Sequence, residues 1–322
     1  MIPFSDEIVS RHGEILANRC AKRFEHFFKR YSKQSIDCFR LYDWDIPEVR
    51  AVVDWYGGHV VIAEYERRQT GEQYLPRLAE AVAEKMLLPM GNIHLKSRRT
   101  GVGTEEEPRY ERFGKLNERM TVRERHLRFF VNLDDFLDTG LYSDHRDTRL
   151  LVKDLAKDKD FLNLYAYTGA FSCAAASGGA RTTTTVDRSA TYLDWAKDNI
   201  ELNGLSGEHN MFPQNDSQKY LEYAEQNGKR FDLCVVDPPS FFRDRISGAA
   251  FDINVDHPDL LAQVCKVMNP GGVVFFSTNH QRFEPRLHDL PVASLKEITP
   301  GTIPEDYRNR KVHRCWKMIL PG

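Results

Sequence analysis

No apolar run in this 322-residue chain approaches the ~20 residues that a membrane-spanning helix needs, and the N-terminus carries no signal-peptide pattern. Both absences point away from a membrane-embedded or exported protein. There is no Cys-x-x-Cys pair: the six cysteines stand at 20, 38, 173, 234, 265 and 315, with no spacing that suits a metal. Several lie within apolar runs, so reduced core thiols in the cytoplasm are expected. Charge of one sign is not in excess either. The formal net charge of −2 excludes a polycation, so any contact with nucleic acid must use local basic patches. Internal repeats, low-complexity tracts and the Gly-x-Gly-x-x-Gly dinucleotide fingerprint are all missing.

What is present is ordinary bulk composition, 41% hydrophobic and 29% charged, enough for a real core and roughly two domains. Residues 6 to 33 read as one amphipathic helix in which Ile8, Ile15, Leu16, Cys20 and Phe27 recur at helical spacing. Short β-like runs follow at Asp37 to Leu41, Ala51 to Tyr56 and Val60 to Tyr65, the last two joined by a Gly57-Gly58 turn. A helix from Leu75 to Leu88, a strand from Asn92 to Lys96, a polar loop from Arg98 to Pro108 and further β-like runs reach Asn132. We read residues 1–135 as this helix and a small α+β domain that positions a substrate. From Asp160 strands and helices alternate, with strands at Phe161–Tyr165, Thr182–Val186, Phe231–Val236 and Val273–Ser277 and a weaker one at His209–Pro213. Alternation of this kind predicts an α/β doubly wound parallel sheet over residues 136–322. The tail, near Leu295–Ile298 and Val312–Leu320, predicts a C-terminal antiparallel hairpin.

Asp237-Pro238-Pro239-Ser240-Phe241 follows the apolar run that ends at Val236, so it lies where a parallel strand should end. Ligand chemistry in open α/β sheets gathers outside those carboxyl ends. The prolines stiffen the turn and leave carbonyls as acceptors, and Phe241 offers a face to a base taken out of its stack. An acidic residue, two prolines and an aromatic suit a planar base held before a reactive methyl group. We assign base holding to Asp237, Pro238, Pro239 and Phe241.

Other strand ends read as a cofactor site. Gly169, after the first strand of the alternating region, permits a tight turn and close backbone approach. Asp187 ends the second strand and either accepts from both ribose hydroxyls of an adenosine or caps the following helix. Asp216, after the third, either faces an adenine amine or caps its own helix. Together the four strand ends make S-adenosyl-L-methionine the leading cofactor.

From about residue 35 onward the chain resembles the guanine-N7-methylating half of the bifunctional bacterial 23S ribosomal RNA methyltransferases. The resemblance rests on Arg40-Leu41-Tyr42-Asp43, Val131-Asn132-Leu133, Leu137-Asp138-Thr139-Gly140-Leu141, Asp144-His145-Arg146 and Asp160-Phe161-Leu162-Asn163-Leu164. It continues through Thr168-Gly169, Gly178-Gly179-Ala180-Arg181, Thr183-Thr184-Thr185-Val186-Asp187, Leu202-Asn203-Gly204-Leu205, Asp237-Pro238-Pro239 and His313-Arg314-Cys315-Trp316. It implies a class I methyltransferase, Rossmann-like domain and methyl transfer to a guanosine of 23S RNA. It also places Asp187 at the ribose, Asp216 at the adenine, and Asp144 and Arg146 near the methionine end, where a guanidinium pairs with a carboxylate. The alternative for Arg146 is a solvated helix residue. Asn163, Tyr165, Thr168, Arg188 and Ser217 complete the candidate cofactor set, and Ser240, Asn279 and Arg282 the candidate substrate set. The fused family members carry an RNA-binding domain and a second methyltransferase half, which this sequence does not contain. As a stand-alone enzyme it would find 23S RNA or a pre-ribosomal particle through its N-terminal domain, another surface or a separate RNA-binding partner.

Cytosine C5 methylation requires a thiolate that adds to C6, and the turns after Asp237 and Ser277 carry no cysteine. Guanine N7 needs no base, because its in-plane lone pair attacks a sulfonium methyl directly. His280 reads as a surface or structural residue. Basic residues among aromatics at Arg19–Lys33, and clusters at Arg119–Arg128 and Arg308–Arg314, are either phosphate contacts or solvated and strand-edge charge. The alternatives to N7 are another RNA base, through an exocyclic amine or cytosine C5, or a non-catalytic RNA-binding or assembly protein.

Overall fold

Two sheets organise the chain, each within its own compact unit: Met1–Ser143 with Glu305–Asn309, and Asp144–Pro304 with Arg310–Gly322. The structure is a computed structural model and describes residues 4–99, 114, 116–243 and 250–322. Most of the expected Arg98–Pro108 loop lies outside the described residues.

In the first unit α1 (Asp6–Ser32) starts at Ser5, whose side chain accepts from the Ile8 amide. Asp6 and Glu7 in its first turn, and Lys29 and Arg30 in its last, complement the helix dipole. Its buried face carries Leu16, Cys20, Phe27 and Tyr31 into a core shared with β1 (Cys38–Asp43), β2 (Ala51–Tyr56), β3 (His59–Glu66) and α2 (Tyr74–Met86). Strands β1, β2 and β3 form an antiparallel meander, and Gly57 and Gly58, both at positive φ, make the tight turn between β2 and β3. Helix α2 then crosses over, so that β4 (Ile93–Arg99) lies parallel to β3. A separate hairpin, β5 (Met120–Glu124) and β6 (Leu127–Val131), completes the unit. The returning segment is anchored by Asp306, which is fully buried and accepts from the Tyr31 hydroxyl at 2.9 Å and the Arg40 amide at 2.8 Å.

The second unit opens with α3 (Arg146–Leu155) and alternates through β7 (Asp160–Leu164), α4 (Ala170–Ser177), β8 (Thr182–Val186), α5 (Ala190–Leu202), β9 (Asn210–Met211), α6 (Ser217–Gln226) and β10 (Phe231–Val236). After the short hairpin β11 (Phe241–Arg243) and β12 (Ala250–Asp252) come α7 (Ile253–Lys266), β13 (Met268–Thr278), β14 (Ser294–Glu297) and β15 (Arg314–Ile319). Strand order is β14-β15-β13-β10-β7-β8-β9. The five strands from β13 to β9 run parallel, while β15 pairs antiparallel with both β13 and β14. This is the doubly wound sheet with an antiparallel C-terminal hairpin expected of a class I methyltransferase. The chain leaves β7 in one direction toward β9 and resumes at β10 on its other side, so the switch point lies between β7 and β10.

Strand β8 is built of four threonines and a valine, three of the threonines buried. Two of their hydroxyls are accounted for, Thr183 donating to Asn210 and Thr185 to Ser172, each at 2.7 Å, which lets a polar run sit inside the sheet. Helix α7 contains Pro258, which has no N–H to give the Asn254 carbonyl; the Arg286 guanidinium donates there instead, at 2.7 Å.

Candidate active site

Register brings the strand ends together. Leu164 pairs with Val186 and with Val236, and Val236 with Phe276, so Tyr165, Asp187, Asp237 and Ser277 emerge along one edge of the sheet. An isolated parallel bridge between Asp187 and Gln214 carries that edge on toward Asp216.

The turn after β7 is left-handed at Tyr165, Tyr167 and Gly169, with φ of 55°, 52° and 71°. Residues other than glycine rarely adopt this conformation, and such strain collects where a loop meets a ligand. Three contacts hold the turn: Tyr165 N–H donates to the Ser217 hydroxyl at 3.2 Å, Tyr167 N–H to Asp187 Oδ2 at 2.9 Å, and Asn199 Nδ2 to the Thr168 carbonyl at 2.9 Å. A Cβ on Gly169 would stand 2.6 Å from the Ala196 Cβ, so helix packing alone demands glycine here. Asn163 is buried within β7 and donates to Ser172 at 3.0 Å.

Asp187 Oδ1 accepts from the Ser189 amide at 2.9 Å. Burial raises the Asp187 pKa above the usual carboxylate range, with the Ser189, Tyr167 and Arg188 amides acting against it. Three amides do not exhaust the acceptor capacity of a carboxylate, and what remains is what a ribose hydroxyl would use. The cap of α5 is Ser189, which accepts from Tyr192, and not Asp187. Asp216 does cap its helix: Oδ1 accepts from Gln218 and Lys219, while Oδ2 stands 4.0 Å from Arg188 Nε. The exposed Arg188 lies over the Phe242 ring at 5.0 Å, and Phe242 stacks on Phe251.

Asp237 Oδ1 accepts from the Ser277 hydroxyl at 2.6 Å, and Oδ2 faces His145 Nε2 at 3.7 Å. Ser240 donates to Asn279 Oδ1 at 2.8 Å, which ties the turn after β10 to the end of β13. Pro238 is buried and Pro239 half-buried, whereas Phe241 is 48% exposed and turned to solvent. Asn279 and Arg282 are exposed; His280 serves its own loop, where its Nδ1 accepts from the Arg282 amide.

Arg146 is buried at 1% exposure, which removes its reading as a solvated helix residue. Asp144 is also buried, and its Oδ2 meets His313 Nδ1 at 2.9 Å. Reading residue by residue missed the parts played by His145, Ser277, Thr302 and His313. Asp144 and His313 stand 169 positions apart, a separation that no local spacing can reveal.

All six cysteines are buried. Cys315, opposite Ser277 in the β13–β15 register, has its pKa raised by burial, then by the Asp237 and Glu297 carboxylates. Burial likewise raises Cys234 well above the usual range and Cys173 to about 12.

Residues 101–292 match the family model of S-adenosylmethionine-dependent methyltransferases. The chain is 40% identical over 309 residues to ribosomal RNA large subunit methyltransferase K of Neisseria meningitidis, covering 94% of this chain and 86% of that protein. It is 38% identical to ribosomal RNA large subunit methyltransferase K/L of Syntrophotalea carbinolica over 96% of this chain, and spans only 44% of that longer protein. Among solved structures, SMU.776 complexed with SAH superposes with a TM-score of 0.74 at 21% identity, covering 97% of this chain and 82% of that one, a likeness of fold. The donor set at the strand ends suits such a cofactor: carboxylates for hydroxyls and an amine, and a guanidinium for a carboxylate.

Proposed function

Because this chain belongs to the S-adenosylmethionine-dependent ribosomal RNA large subunit methyltransferases, we propose that it transfers the methyl group to N7 of a guanosine in 23S ribosomal RNA. The observation that carries this reading is the state of the thiols. The cysteine paired beside the site is buried next to two carboxylates, which disfavours the thiolate that a C5 mechanism needs. A target atom with its own lone pair requires no such nucleophile.

Bound S-adenosylmethionine supplies an electrophilic methyl group. Asp187 orients its ribose, Asp216 and Arg188 flank the adenine, and Arg146 and Asp144 lie toward the methionine end, with Asn163, Tyr165, Thr168, Gly169 and Ser217 shaping the cradle. Asp237 and the Pro238 and Pro239 carbonyls hold the base and stabilise the positive charge it acquires. Phe241 stacks on the base from the solvent side, and Ser240, Asn279 and Arg282 border it. Catalysis is then chiefly alignment of donor and acceptor.

The RNA is held in part by the first unit. Arg19 pairs with Asp45 at 3.2 Å, Arg30 with Glu305 at 2.6 Å, and Arg23 donates to the Asp306 carbonyl, which leaves exposed Lys22, Lys29 and Lys33 to meet phosphates. Arg123, Arg308 and Arg314 are paired with Asp37, Asp45 and Glu297, so the two later clusters contribute less. A pre-ribosomal particle or a separate RNA-binding protein completes recognition in the cytoplasm.

Nucleoside mass spectrometry after reaction with unmodified 23S RNA and labelled cofactor tests the assignment. The expected product is 7-methylguanosine. 5-Methylcytidine or N2-methylguanosine would replace it with one of the other readings, and no incorporation would reopen the non-catalytic one.

A further inference from the structure

Asp144, His145 and His313 form a buried cluster whose side-chain donor atoms all lie within 4.8 Å of one another. Its geometry does not suit an ion. The two imidazoles are stacked, centroids 4.1 Å apart and planes 11° from parallel, so their in-plane lone pairs do not converge on a common point. Both nitrogens of His313 are also engaged, Nδ1 with Asp144 at 2.9 Å and Nε2 with the Thr302 hydroxyl at 3.0 Å.

Thr302 donates to the Thr299 carbonyl at 2.9 Å, and His313 Nδ1 donates to the Asp144 carboxylate, so the His313 ring is clamped at both nitrogens. His145 stacks on that ring, and burial, followed by the adjacent His313, lowers its pKa to about 4, with Arg149 acting in the same direction and Asp144 and Asp237 against it. A neutral His145 turns Nδ1 to the Thr148 hydroxyl at 3.4 Å. Its Nε2 points between Asp144, at 3.8 Å, and Asp237, at 3.7 Å.

We propose that His145 is a positioning residue for Asp237: its ring presents Nε2–H to Asp237 Oδ2, and the stacked His313 ring, clamped by Asp144 and Thr302, keeps it in place. With the Ser277 hydroxyl on Oδ1, both oxygens of Asp237 are then oriented, and the carboxylate plane is set before the base arrives. A shift of under about 1 Å brings Nε2 and Oδ2 to hydrogen-bond distance, as expected when a substrate tightens a site. The proposal rests on reading Asp237 as the base-holding carboxylate.

Long-range nitrogen–proton NMR on the whole protein labelled at histidine nitrogen tests the charge assignment directly. His145 should show a neutral ring protonated at Nε2 across about pH 6 to 8. In kinetics, His145→Ala should lower kcat about 10- to 100-fold while KM for RNA and the calorimetric Kd for S-adenosylmethionine stay within about 2-fold. His145→Gln, which keeps an N–H donor, should recover part of the loss. A charged His145, nitrogen shifts of a metal-bound ring with stoichiometric metal on elemental analysis, or wild-type kcat in His145→Ala would each overturn the proposal. If the methylated nucleoside proves not to be 7-methylguanosine, the ring protonation and the kcat effect on the actual product still decide it, so the two failures are distinguishable.

Discussion

At the end of β8 one carboxylate already serves backbone amides before any ligand arrives. Asp187 gathers the Tyr167 and Ser189 N–H groups, so the β7 and β8 turns are locked to one another through it. Its remaining acceptor capacity is therefore pre-oriented for the proposed ribose contact. Asp187→Ala should weaken S-adenosylmethionine binding by ~1.5–3 kcal/mol, the worth of a hydrogen bond to a charged group, with calorimetry as the measurement. Unchanged affinity would take Asp187 out of the cofactor site. Phe241 is the opposite kind of residue, held by a three-residue strand and half open to water. Phe241→Ala should leave cofactor affinity intact and lower kcat/KM for RNA by an amount equivalent to ~1–3 kcal/mol of stacking. Full turnover in that variant would rule out the stacking role.

Helix α1 carries the prediction that belongs to an element. Three of its arginines, Arg19, Arg23 and Arg30, are spent on Asp45, Asp306 and Glu305, while Lys22, Lys29 and Lys33 stay exposed. Replacing these three lysines by alanine should reduce the slope of log affinity for RNA against log salt by about 2, with cofactor binding unchanged. An unchanged slope would place the phosphate contacts elsewhere. Elements were legible in the sequence where one rule dominated. The runs Ala51–Tyr56, Thr182–Val186 and Phe231–Val236 coincide with β2, β8 and β10 because turn residues bound them on both sides. The β11–β12 hairpin was not legible, since three residues are too few for alternation to register. Helix α7 was masked by Pro258, whose lost hydrogen bond is compensated by Arg286 from a distant part of the chain.

For the molecule as a whole, the strand-end carboxylates were readable because parallel register aligns strand ends automatically, while the His145–His313 stack depends on tertiary closure alone. That stack has a consequence for stability. The folded His145 pKa of about 4 lies below its ordinary 6.5, so the unfolded chain binds a proton that the native ring refuses between those values. Its contribution is therefore complete above pH 6.5 and is lost as pH falls toward 4, by roughly 3 kcal/mol. Burial shifts His12, His59 and His257 the same way, so the effect is read as a difference from a variant. Thermal unfolding should show a smaller loss of Tm over this window in His145→Gln than in the wild-type protein. Parallel curves would mean the ring is charged or solvated in the native state.

Among the described residues no helix is long and apolar enough to cross a membrane. The account turns instead on one atom of one base. The measurement that isolates it compares methyl transfer from labelled S-adenosylmethionine to a 23S RNA fragment and to the same fragment made with 7-deazaguanosine, which lacks only the N7 lone pair. We expect incorporation into the first and none into the second. Equal incorporation into both would contradict transfer to N7 and move the target to another atom.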